Sequence, residues 1–190
     1  MRQVRAFLAI PVTDELRRGM ARLQRELTGS LPGIRWVNPA TIHLTLRFFG
    51  DVPEESLEKI GDVMLSVGRL SAPFQVEAAG VGAFPSPARP RVIWLGVRGG
   101  PSLAALYATM EEGLRQIGFP GEDRSFSPHL TLGRCRQRIA AAQPVLERFR
   151  DFTCGPLPVD RVILYESRLE PAGAVHLPRK TVYLGGRDLQ

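Results

Sequence analysis

His43-Leu44-Thr45-Leu46 returns letter for letter as His129-Leu130-Thr131-Leu132 in a chain of 190 residues. Side chains along a strand alternate between its two faces. Each tetrapeptide read as a strand therefore turns one imidazole and one hydroxyl to one side and two leucines to the other. The leucines call for a core behind the strand, and the histidine and threonine for a use in front of it.

The chain around the two copies repeats as well. Thr13 reads as an N-cap with Asp14 and Glu15 in the first turn, where acidic side chains favour the helix dipole. Leu16, Met20, Leu23 and Leu27 then mark one helical face. A helix opened by Val52-Pro53 carries Leu57, Ile60, Met64 and Val67. Another, after Gly99-Gly100-Pro101, carries Leu103, Leu106, Met110, Leu114 and Ile117, and Pro144–Arg150 is a short fourth. Strands are predicted at Val4–Ile10, His43–Gly50, Phe74–Val81, Arg91–Val97, His129–Arg134, Val159–Leu169 and Val175–Leu184. Both halves thus run helix, HLTL strand, helix, strand, strand, with 30 and 28 residues from helix start to histidine. Two copies are too few for a solenoid. They imply pseudo-twofold lobes, each an antiparallel sheet with helices outside, and the HLTL strands facing one another at a central cleft. The fold class is α+β: one domain over 1–190, with halves of about 1–98 and 99–190 and strands free to exchange between lobes.

Composition narrows the function. Hydrophobic residues are 44% and charged residues 23%, which is globular rather than disordered. Two cysteines make neither a disulfide framework nor a zinc ribbon, so Cys135 and Cys154 are read as free thiols. Three histidines without an HExxH motif leave little for a His-built metal site, and no metal or other cofactor is expected. The apolar run Ala6–Val12 is far short of the ~20 residues a membrane span needs. A cytoplasmic monomer without membrane contact is expected. The net charge is +6, with 23 arginines against two lysines. The arginine bias is read as codon choice, but the cationic excess fits a phosphate-bearing partner, which arginine binds in a bidentate fork.

Two imidazoles beside one phosphorus suit in-line displacement. Neutral, one takes a proton from the attacking water; protonated, the other gives a proton to the departing oxygen. The hydroxyls of Thr45 and Thr131 hold the non-bridging oxygens, and a nearby arginine adds a clamp. Near-symmetry leaves open which histidine is acid and which base. His176 lacks such a context and is read as surface.

With paired HxTx motifs on the page, the chain resembles the two-histidine (2H) phosphoesterase superfamily, and within it the bacterial and archaeal RNA 2′,3′-cyclic phosphodiesterases, first described as 2′–5′ RNA ligases. The likeness runs through RAFLAIPV, LPGIRWVNPATIHLTLRFFG, PRVIWLGV, SFSPHLTLGR and LYESRL. It implies a bilobal fold with the site between lobes. It also implies metal-free hydrolysis of an RNA 2′,3′-cyclic phosphate, or of a cyclic nucleotide, to a 2′-phosphomonoester. By that likeness His43 is the proton donor and His129 the proton acceptor, and Arg134 matches an arginine that binds phosphate. Phe48 holds the place after His43 that Arg134 holds after His129, and is a candidate base platform. Strict alternation turns Phe48 and Arg134 away from their histidines, so a twist or bulge must redirect them. Alternation turns Arg47 with His43, toward an RNA backbone or open solvent. Arg89 and Arg91 border a proline-rich loop, as ordinary loop arginines or as contacts to RNA, whereas Trp36 and Trp94 read as core. Ligation to a 2′–5′ linkage is the reverse reaction at the same residues. A non-catalytic RNA-binding module would be expected to carry a damaged HxTx, and both copies here are intact.

Overall fold

The computed structural model describes residues 2–122, 125–137, 139, 142–171 and 173–186. Its strands are β1 (Gln3–Pro11), β2 (Ile34–Trp36), β3 (His43–Pro53), β4 (Phe74–Phe84), β5 (Val92–Arg98), β6 (His129–Cys135), β7 (Thr153–Val159), β8 (Arg161–Glu170) and β9 (Gly173–Tyr183). The helices are α1 (Asp14–Thr28), α2 (Ser56–Leu70), α3 (Gly100–Gln116) and α4 (Ala142–Glu147). The architecture is α+β. The strands pair antiparallel in the order β7-β4-β5-β6-β3-β1-β8-β9, with β2 beside β6. That order is symmetric about the β6–β3 junction, where Leu44 pairs with Leu130. Each four-stranded half draws on both halves of the sequence: β1 and β3 lie with β8 and β9, and β4 and β5 with β6 and β7.

The expected helical faces bury. Leu16, Met20, Leu23 and Leu27 of α1, Leu57, Ile60, Met64 and Val67 of α2, and Leu103, Leu106, Met110 and Leu114 of α3 join one core with Leu44, Leu46, Leu130 and Leu132. Thr13 caps α1, its Oγ1 accepting from Leu16 N at 3.2 Å. Cys135 and Cys154 are free thiols. One predicted boundary is corrected. Val52 and Pro53 do not open α2 but finish β3, paired with Val4 and Gln3 of β1, and α2 begins at Ser56. Strand β7 was not predicted. Its Gly155, Pro156 and Pro158 are poor strand formers, but proline is tolerated on a strand at a sheet edge, which is where β7 lies.

The decisive irregularity occurs twice. Against β1, Ala9 pairs with Thr45 but Leu8 with Arg47, so Leu46 is an extra residue. Against β5, Trp94 pairs with Thr131 but Ile93 with Gly133, so Leu132 is extra in the same way. A bulge shifts the side chains beyond it to the opposite face. Burial along His43–Phe48 and His129–Arg134 follows the same sequence of half-buried, buried, half-buried, buried, buried, exposed. Beyond the bulge Phe48 and Arg134 therefore return to the histidine face, and Arg47 falls on the core side.

This overturns the expectation that Arg47 meets RNA. Arg47 is 7% exposed. It donates from Nη1 to Glu111 Oε2 at 2.8 Å and from Nη2 to the Pro120 carbonyl. These bonds tie β3 to α3 and to the segment leading to β6. Removing one partner of a buried ion pair leaves the other charge uncompensated. Arg47→Ala is therefore expected to cost about 3–5 kcal/mol in denaturant unfolding, with Arg47→Ala/Glu111→Ala costing less than the sum of the singles. A change within about 0.5 kcal/mol, as for a solvent-facing arginine, would contradict the assignment.

Candidate active site

The Leu44–Leu130 pair sets the site. In an antiparallel pair centred there, His43 stands beside Thr131 and Thr45 beside His129. The two histidines are then diagonal neighbours, a relation that separates side chains by roughly 7–8 Å in a regular ladder. Both imidazoles and both hydroxyls share the face opposite the buried leucines.

Each ring is held by the same local device. His43 Nδ1 lies 2.8 Å from the Thr41 carbonyl oxygen, and His129 Nδ1 lies 2.7 Å from that of Ser127. A carbonyl only accepts, so Nδ1 carries the proton in both rings. The free Nε2 of each ring is then a base when neutral and an acid when protonated. The three-residue 3₁₀ turn Pro39–Thr41, capped by Asn38 Oδ1 accepting from Ala40 N at 3.0 Å, presents the Thr41 carbonyl to His43.

A family model described as LigT like Phosphoesterase matches residues 10–94 and 97–176. The chain belongs to that family. A relative from Methanothermobacter thermautotrophicus named RNA 2′,3′-cyclic phosphodiesterase is 36% identical over 177 residues, covering 92% of this chain and 95% of that protein. A relative of the same name from Archaeoglobus fulgidus is 34% identical over 173 residues, covering 91% and 96%. Among solved structures, TT0787 of Thermus thermophilus aligns with a TM-score of 0.82 at 29% identity, over 97% of this chain and 100% of that one.

In this LigT-like phosphoesterase the two histidines have unequal surroundings. The His43 ring stacks on Phe7 (centroids 4.6 Å apart), meets His176 edge-on at 5.2 Å and lies 6.2 Å from Tyr165. His129 meets Phe84 edge-on at 4.9 Å. Phe84 and Tyr165 hold equivalent places in the two halves, one paired with Val92 of β5 and the other with Phe7 of β1. Burial pushes the His43 imidazole down to about 4, its hydrogen bond to Thr41 opposes this, and His176 lowers it further. The free protein thus holds His43 neutral at pH 7.

His176 is corrected from surface residue to neighbour of the site. It is half-buried on β9 against Phe7 and His43, and burial lowers its pKa too. The β8–β9 hairpin that brings it there is braced by Glu166, 4% exposed, which accepts from Arg168 Nε at 2.8 Å and from Arg179. A lone histidine in a polar strand carries no sequence signal for this, because only the pairing of β8 with β1 brings the hairpin to His43. Phe7 and Tyr165 carry no signal either, because their places beside His43 come from the pairing of β1 with β3 and of β8 with β1.

Arg134 and Phe48 are exposed on the cleft face. Arg134 lies across from Arg35 of β2, and Phe48 carries the Arg5 guanidinium 4.8 Å above its ring. Trp36 packs against the core as expected, but Trp94 does not. It pairs with Thr131, and its ring lies over Gly82, where any Cβ would overlap it. Arg89 and Arg91 are exposed, and the Arg91 backbone N–H donates to the carbonyl of Phe84, the aromatic neighbour of His129.

A folded-state pKa of about 4 against an ordinary 6.5 has a definite sign. His43 contributes stability that is full above about pH 6.5 and lost as pH falls toward 4. Imidazole NMR of the free protein should place the His43 midpoint near 4. Replacing His43 by glutamine should flatten the loss of stability across that window by up to about 3 kcal/mol. A midpoint near 6.5 would contradict the burial argument.

Proposed function

We propose that this phosphoesterase hydrolyses the 2′,3′-cyclic phosphate of an RNA end to a 2′-phosphomonoester, with His43 as acid and His129 as base. The observation that carries the reading is the matched pair of Nδ1–H···O=C bonds, which leaves two Nε2 atoms free on one face beside two threonines. The curated relatives' name supplies the substrate class.

His129 Nε2 takes a proton from water as the oxygen bonds to phosphorus. The P–O3′ bond breaks in line, and O3′ takes the proton from His43 Nε2. The 2′-phosphate stays on the ribose. Thr45 and Thr131 donate to the non-bridging oxygens, whose charge persists through the transition state. Arg134, brought to the cleft face by the Leu132 bulge, clamps the same phosphate. Phe48 offers an apolar face at the rim for a base.

The neutral state of free His43 is part of this mechanism. An anion beside the ring favours the imidazolium and raises its pKa, so substrate binding takes up the proton that the acid later delivers. Chemistry begins only when the phosphate is seated.

Three measurements test this. His43→Ala and His129→Ala should each lower kcat by about 10²–10⁴-fold on a cyclic-phosphate-ended oligonucleotide, the usual worth of a positioned acid or base. Full activity in both variants would sink the assignment. Turnover should survive excess EDTA, and its loss would require a metal. Calorimetry with 2′-AMP in buffers of different ionisation enthalpy should show about one proton taken up at pH 7. No uptake would remove His43 as the acid.

A further inference from the structure

The two imidazoles are held by matching bonds, but the carbonyls that hold them are fixed by different means. Each acceptor lies two residues ahead of its histidine, Thr41 for His43 and Ser127 for His129. One residue further ahead the halves diverge, with Ala40 in the first and Phe126 in the second. Ala40 sits inside the 3₁₀ turn, which closes on itself as Thr41 N donates to the Asn38 carbonyl at 2.9 Å. Among the described residues of 119–128, no helical turn stands ahead of His129. That stretch is pinned from outside. Arg47 of β3 donates to the Pro120 carbonyl and, at 2.8 Å, to Glu111 of α3. Phe119 meets Phe49 of β3 edge-on at 5.0 Å. Tyr107, one turn before Glu111 on α3, lies flat against Phe126, with centroids 4.0 Å apart and planes within 4°. Beyond Ser127, the Pro128 carbonyl accepts from Val97 N of β5 at 3.1 Å. Ser127 itself is exposed. Its carbonyl is placed by its two neighbours, the stacked phenylalanine and the proline tied to β5.

We infer that Tyr107 is a positioning residue for the base, acting through Phe126 and the Ser127 carbonyl on His129. For its effect on rate the inference rests on the hydrolase reading, which it deepens. The nitrogen that carries the proton of a neutral imidazole is set by the hydrogen bond offered to it. With the Ser127 carbonyl in place that nitrogen is Nδ1, and Nε2 keeps the lone pair that takes a proton from water. With the carbonyl displaced, the ring is free to hold its proton on Nε2, where it can no longer accept one, and free to turn about its side-chain bonds. A shift of about 1 Å at a reacting group, caused from a distance, can cost about a hundredfold in rate. The clamp serves one histidine only. Thr41 belongs to its own turn, and the first half has an alanine where the second has the stacked ring. Loss of the Tyr107 ring therefore strikes His129 and spares His43.

The test compares Tyr107→Ala and Tyr107→Phe with the wild type in two ways. Long-range ¹H–¹⁵N spectra at about pH 8, above the ordinary imidazole range, report the tautomer of each histidine. Steady-state kinetics on 2′,3′-cyclic AMP report kcat and KM. The wild type should carry the His129 proton on Nδ1. Tyr107→Ala should mix the His129 tautomers, leave the His43 tautomer unchanged, and lower kcat about tenfold to a hundredfold with KM within about twofold. Tyr107→Phe keeps the stacked ring and should restore both the tautomer and kcat. An unmoved His129 tautomer in folded Tyr107→Ala overturns the inference, since the ring would then serve stability alone. An equal change at both histidines overturns it too, as does a loss that Tyr107→Phe shares, which would assign the effect to the hydroxyl. Where Tyr107→Ala fails to fold, Phe126→Leu removes the stack but keeps apolar bulk, and the same tautomer criterion applies to it. A wild-type protein that shows the His129 tautomer and its loss in Tyr107→Ala, yet turns over no cyclic phosphate, overturns the hydrolase reading and leaves the positioning of His129 supported.

Discussion

The pairing of Leu44 with Leu130 is where the two four-stranded halves of the sheet meet, and the site depends on it. Both leucines are fully buried, so their strands cannot slip by one residue without turning the core face to water. That constraint fixes the histidines and threonines on the opposite face as firmly as it fixes the leucines inside. Around the junction the chain is cross-braced. Arg47 reaches from β3 to α3 and to the segment ahead of β6. Gln24 of α1, also buried, donates to the carbonyls of Val37 and Leu132 at 2.8 and 2.9 Å, the second being that of the bulged residue in β6.

The bulge marks the limit of what could be read from the sequence. Periodicity alone located the helices' apolar faces and both histidine strands, because burial of leucine at steps of three and four, or of two, is a local matter. It could not locate an extra residue inside a strand. Leu46 and Leu132 look like ordinary members of an alternating run, and the register shift appears only when β1 and β5 are laid beside them. Arg47 was misplaced for that reason, and Phe48 and Arg134 came to the cleft for the same one. His176, Tyr165 and Arg17 were invisible on a related ground. They lie far apart in sequence, and it is the order β3-β1-β8-β9, with α1 following β1, that brings them to one histidine.

Identical tetrapeptides need not make identical groups. The hydrogen bond that orients each imidazole is the same to within 0.1 Å, so orientation does not distinguish the two. What differs is what lies against the rings. Phe7, Tyr165 and His176 crowd His43, and Phe84 touches His129. A ring enclosed by three others gives up hydration of its charged form, and the neutral form gains.

On the proposed reading this asymmetry has a direction that chemistry can use. An acid that is neutral until an anion arrives cannot spend its proton on solvent, and it becomes charged where the new charge is partnered by phosphate. The same aromatic enclosure that discharges His43 also walls the space beside it. Burial of the ring and the shape of that space are then two results of one arrangement, in which β8 pairs with β1 and β9 carries His176 to His43. In the second half Phe84 meets the His129 ring edge-on, and this less enclosed imidazole is the one that the mechanism asks to accept a proton from water.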